Sequence, residues 1–208
     1  MAVLYSWASS GTLLGYPKDE ESVRLTESHL RWFLRELLTK TSAKNVHLIA
    51  HSMGNRALTE VLRSFVAETN QPLFGEVILA APDVNRIGFL QDVAQVLPKV
   101  ARHVTLYSSS EDKAMRASKS FHQYARAGDA GSEPVVCEGI DTIDASQAET
   151  DLLGHSYVLN ARAVIGDMAD VICRGLPPEQ RNLTRVETNG HCYWKLKNGA
   201  VNQANRGN

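Results

Sequence analysis

The segment Val46-His47-Leu48-Ile49-Ala50-His51-Ser52-Met53-Gly54-Asn55-Arg56-Ala57-Leu58 constrains this chain more than any other. Its first half is apolar and β-branched and reads as a buried strand. It stops at a serine among small residues. A helical pattern begins at once, with Leu58, Val61, Leu62 and Phe65 at i, i+3, i+4 and i+7. A strand that turns so abruptly into a helix forces the corner residue into strain, and that residue is Ser52. Ala50 and Gly54 stand two positions to either side, where a larger side chain is expected to collide with the neighbouring turn. This is the logic of a G-x-S-x-G nucleophile elbow, with alanine in the first glycine position. The corner lifts the Ser52 hydroxyl above the end of the sheet. The Met53 N–H, at the helix N-terminus, then faces the place where an oxyanion would form.

The rest of the chain supplies strands and helices in alternation. Ala2 to Ser6 reads as a strand, and Ser6 to Gly11 as a loop. Pro17 and Asp19 introduce a helix whose apolar stripe is Leu30, Phe33, Leu34, Leu37 and Leu38. After the elbow and its helix come an apolar run, Val77 to Ala81, closed by Pro82-Asp83, and a weaker helix over 87–96. Val104 to Tyr107 is the next strand, followed by the polar loop Ser108 to Asp112 and a helix over 114–125. Val135 to Ile143 carries an interrupted strand. The last helix presents Ala161, Val164, Ile165, Met168 and Ile172 on one face. Apolar strands that alternate with helices imply right-handed crossovers and a parallel sheet covered on both sides.

A serine hydroxyl becomes a nucleophile when a base takes its proton and an acid orients that base. On such a sheet the partners follow in the order serine, acid, histidine, each on a loop beyond a later strand. Asp83 and Asp112 both fit the acid; Asp112 is preferred because it lies nearer the expected strand, with a helix start behind it. Asp83 stays as the alternative. His155, after Gly154 and just before the last helix, fits the base. His51 leaves the elbow in another direction and is grouped with Trp7 and Tyr16 as a candidate substrate contact. His29, His47, His103, His122 and His191 read as surface or structural residues.

Composition narrows the rest. At 208 residues the chain suits one domain over 1–180, with 181–208 as a loosely packed, partly disordered extension rich in Asn and Gly. A net charge of -1 gives no reason to expect nucleic acid or an anionic membrane as partner. No apolar run approaches the roughly 20 residues of a membrane span. Cys137, Cys173 and Cys192 fit no metal or redox spacing and read as free thiols, which points to the cytoplasm. The N-terminus lacks the features of a signal peptide.

Ala50-His51-Ser52-Met53-Gly54 resembles the elbow of small bacterial lipases of the α/β-hydrolase fold. The likeness extends to Tyr5-Ser6-Trp7, Leu14-Gly15-Tyr16, Gly54-Asn55-Arg56, Ala81-Pro82-Asp83-Val84, the run Tyr107 to Ala114, and Gly154-His155-Ser156-Tyr157. In order and spacing these are similar to a bacterial family of uncharacterised α/β hydrolases, from about Val3 to Arg181. The resemblance implies Ser52, Asp112 and His155 as a triad, no cofactor and no metal. In that family a strand and a His-Gly-aromatic loop precede the Ser-Trp strand, and the loop gives the second oxyanion N–H; this sequence begins at Ser-Trp. The expectation is an N-terminally shortened α/β-hydrolase fold with an open sheet edge. It would act as a serine hydrolase of carboxylic esters whose rate is lowered by roughly 10²–10³ for one lost donor. The alternative is a catalytically impaired hydrolase-like domain that binds a ligand or a partner, including a homodimer through the exposed edge.

Overall fold

The computed structural model describes residues 1–12, 15–69, 71–112, 118, 124–148, 161–188 and 190–197. Its centre is β2 (Phe74–Ala80), in which every residue is buried. Alternate side chains feed two separate cores: Val77 and Leu79 face one, Ile78 and Ala80 the other. Beside it lie β1 (Leu48–His51) and β3 (Ala101–Ser108), then β4 (Asp141–Asp144), β6 (His191–Leu196) and β5 (Leu183–Thr188). The first four pair in parallel, as does β4 with β6; β5 and β6 pair antiparallel.

Helices cover both faces. On one lie α1 (Tyr16–Leu25), α2 (Glu27–Lys40) and α3 (Gly54–Val66), which bury Val23, Leu30, Leu34, Leu58, Leu62 and Phe65. The expected helix over 87–96 is broken into α4 (Arg86–Gly88), a π-helical turn over Phe89–Val93, and α5 (Leu97–Val100), which starts beside Pro98. On the other face α6 (Arg162–Arg174) buries Val164, Met168 and Val171 and ends at Gly175, whose φ of 60° closes the helix. Ile165, expected on the buried face, is 46% exposed. The expected helix over 114–125 falls almost wholly outside the described residues.

Two sequence expectations are corrected here. Ala2 to Ser6 forms no strand: among the described residues no strand pairs with its backbone, and the segment instead leans on α2. There the Tyr5 ring lies 5.4 Å from Phe33, and its hydroxyl is 2.7 Å from Thr26 Oγ1. The stretch from Arg181, expected to be loose, adds the β5–β6 hairpin to the sheet and buries Leu183, Trp194 and Leu196. Asn189-Gly190, between two β-rich runs, is the sequence signal for that turn. Residues 198–208 lie outside the described residues.

β1 is the outer strand of the described sheet, and Ile49 on it is 56% exposed. Along it runs a groove of about 1050 Å³, lined by Tyr5, Trp7, Phe33, Leu37, Ile49 and His51 among others.

Candidate active site

The corner between β1 and α3 spans only Ser52 and Met53. Ser52 has a φ of 51°, a left-handed conformation rarely adopted by a residue with a side chain. The peptide is fastened on both sides. The Ser52 N–H donates to Ala80 O at 3.0 Å, and the Ser52 carbonyl accepts from Asn55 N at 3.1 Å and Asp83 N at 3.2 Å. Asn55, fully buried, adds its side-chain N–H₂ to both carbonyls, at 3.0 Å to Ser52 O and 3.1 Å to Ala80 O. Met53 precedes the first residue of α3 with its side chain in the core, so its N–H lies at the positive end of that helix. The small-residue argument holds less well for Gly54: a Cβ there would meet nothing within 4 Å. Gly54 is helical, so a side chain there projects into open space.

Asp83 follows β2 and is 1% exposed. Its Oδ2 accepts from Tyr16 Oη at 2.5 Å and Arg56 Nη2 at 3.2 Å. Its Oδ1 accepts from Ser118 Oγ at 2.7 Å and lies 3.2 Å from Arg126 Nε. Arg56 also donates Nε to the Asp83 carbonyl at 2.7 Å and pairs with Glu20 of α1. Burial alone would raise the Asp83 carboxyl; Arg56, Tyr16, Ser118 and Arg126 outweigh it and hold it below the usual range. Burial, reinforced by the Asp83 charge, raises the Tyr16 hydroxyl. Tyr16 therefore belongs to this network by its hydroxyl, while Trp7 and His51 line the groove beside β1.

Asp112 ends the loop beyond β3 and is fully buried. That loop is pinned along its length: Ser109 N–H donates to Gly128 O at 3.1 Å, Ser110 N–H to Ser146 Oγ at 2.8 Å, and Glu111 N–H to Ser109 Oγ at 3.1 Å. Because β1, β2 and β3 run parallel, Ser52, Asp83 and Asp112 all emerge at the same end of the sheet. His155 lies outside the described residues. Asn55, Arg56, Ser118 and Arg126 are the residues around the elbow to which sequence reasoning gave no role. The first two stand in the Gly54-Asn55-Arg56 motif; nothing in the spacing of the others points to Asp83.

Residues 1–174 match the model of a family described as alpha/beta hydrolase of unknown function (DUF900). The chain belongs to that family. Membership agrees with the mostly parallel, helix-covered sheet and supports a hydrolase activity. No curated protein and no solved structure matches the chain. Among the described residues no helix of this α/β hydrolase is long and apolar enough to cross a membrane.

Proposed function

We propose that this α/β hydrolase cleaves carboxylic esters through an acyl-enzyme on Ser52. The observation that carries the reading is the left-handed Ser52, wedged between a parallel strand and a helix N-terminus. In the proposed cycle Ser52 Oγ attacks the acyl carbon while His155 takes its proton. The oxyanion is met by the Met53 N–H. Collapse expels the alcohol, which leaves with the proton from His155. Water then attacks the acyl-enzyme, His155 accepts one of its protons, and the acid departs as Ser52 regains its hydrogen. Asp112 orients His155; its burial on a pinned loop at the same end of the sheet supports that role. Trp7 and His51, which line the groove, are proposed contacts for the ester. Tyr16 is a proposed contact only at its ring, since its hydroxyl is engaged by Asp83.

Labelling with a fluorophosphonate, which needs an activated serine, tests this directly. The expected outcome is labelling of the parent and none of Ser52→Ala or His155→Ala, with p-nitrophenyl ester turnover lost in step. Labelling or turnover that survives Ser52→Ala at the parent rate overturns the assignment.

A second reading is favoured by the apolar groove beside β1, the outer strand among the described residues: a hydrolase-like domain that associates through that strand, with a second copy as the simplest partner. It predicts a dimer in sizing chromatography; a monomer with turnover counts against it.

A further inference from the structure

Among the described residues two non-glycine residues have positive φ: Ser52 at 51° and Ala81 at 43°. They stand at matching places, one residue beyond the paired ends His51 and Ala80 of neighbouring strands. Such conformations persist where the surroundings over-determine them. Here the two corners are tied together. Ser52 N–H donates to Ala80 O, Asp83 N–H donates to Ser52 O, and Ala81 N–H donates to Tyr107 O at 2.9 Å. Gly128 closes the back: a Cβ there would lie 2.5 Å from the Ala81 carbonyl carbon.

The side chain of Asp83 fastens the loop after the second corner to Tyr16, Arg56, Ser118 and Arg126. Three hydrogen bonds reach the carboxylate, two on Oδ2 and one on Oδ1, and Arg126 Nε, which donates to Ser118 Oγ at 3.0 Å, completes an ion pair 3.2 Å from Oδ1. An imidazole N–H would have to enter on Oδ1, beside the Arg126 guanidinium. Arg56, in the first turn of α3, grips both the carboxylate and the main-chain carbonyl of Asp83. The helix that starts at the elbow is thereby bolted to the loop whose N–H holds the Ser52 carbonyl.

We propose that Asp83 and Arg56 are positioning residues, a buried carboxylate–guanidinium clamp that keeps Ser52 in its strained geometry, and that Asp83 is not the acid behind the histidine. The consequence for catalysis rests on the ester-hydrolase reading; the clamp itself does not. A displacement of about 1 Å at a reacting group can cost about 10²-fold in rate.

The experiment compares the parent with Asp83→Asn, with Arg56→Lys and with Leu183→Ala, a cavity variant in β5 at the far edge of the sheet. Two readouts are taken on each full-length protein: amide hydrogen exchange of peptides covering 50–56 and 81–84, and the fluorophosphonate labelling rate as a function of pH. In Asp83→Asn and Arg56→Lys the elbow peptides are expected to exchange about tenfold faster, and labelling to slow by about 10²-fold with its pH midpoint unmoved. Leu183→Ala, though less stable overall, keeps the parent's labelling rate. Unchanged exchange at the elbow overturns the clamp. So does a displaced pH midpoint in Asp83→Asn, which would mark Asp83 as the acid. If Asp83→Asn fails to fold, Arg56→Lys carries the test, since it keeps the charge and loses the two-pronged grip. A parent that is not labelled but whose elbow loosens in the variants sinks the ester-hydrolase reading and leaves the clamp standing.

Discussion

Ser52 has a left-handed φ of 51° because β1 ends at His51 and α3 starts at Gly54, leaving two residues to reverse the chain. For a residue with a Cβ that conformation is worth about 1–2 kcal/mol of strain, which glycine does not feel. Glycine in turn loses more backbone entropy on folding, by about 0.5–1 kcal/mol relative to alanine. Ser52→Gly is therefore expected to be more stable than Ser52→Ala by about 1 kcal/mol, although both lack the hydroxyl and neither should be labelled. Urea unfolding of the two variants measures the difference, and equal midpoints would remove the strain from the account. The corner was legible in the sequence because an apolar strand and an amphipathic helix leave so few residues between them. The partners of Asp83 were not. Ser118 and Arg126 come from segments far along the chain, and only the folded sheet brings them to one carboxylate. The sequence reading of Asp83 as an alternative acid treated it as available, whereas three hydrogen bonds and the Arg126 ion pair already engage it.

At the scale of elements, the runs buried on both faces, β2 and the Val104–Ser108 part of β3, were read nearly in place, since such burial selects the apolar runs Val77 to Ala81 and Val104 to Tyr107. The terminal strands were misread in opposite senses, and for one reason: pairing decides them. The segment Ala2 to Ser6 has strand-like composition but no strand paired with it among the described residues. The segments Leu183–Thr188 and His191–Leu196 mix charged and apolar residues, yet pair with each other, and the second also pairs with β4. Trp194 shows how far the hairpin belongs to the core. It faces Ile143 across the β4–β6 register, is 7% exposed, and packs with the residues under α6. Trp194→Ala is expected to cost about 3–5 kcal/mol, seen as a lower urea midpoint in one cooperative transition. A separate early transition would show instead that the hairpin melts on its own.

Across the whole molecule, each face of the sheet holds a buried ionic network, and the two titrate in opposite directions. On the α3 face Asp83 is held below the usual carboxylate range despite its burial. On the α6 face Asp167 accepts from Tyr107 Oη at 2.6 Å and Arg181 Nη1 at 3.1 Å. Burial prevails there and raises it, while its Oδ1 and the Nε and Nη2 of Arg181 find no hydrogen-bond partner among the described residues. Because the folded value of Asp83 lies below its unfolded value, about 3.9, its contribution to stability is complete above that pH. It is lost as pH falls through the lowered folded value. Asp167 runs the other way. Its folded value lies above the unfolded one, so it favours the folded state most below about pH 3.9, and that advantage is lost as pH rises through the raised value. Stability measured by urea midpoint against pH separates the two. Asp83→Asn is expected to lower stability near neutrality and to flatten the fall on the acid side. Asp167→Asn is expected to leave that fall in place and to remove the decline above about pH 4. If the acid-side fall keeps its slope in Asp83→Asn, the group that titrates there is not the carboxylate at the elbow. The clamp would then have to hold Ser52 by hydrogen bonding alone.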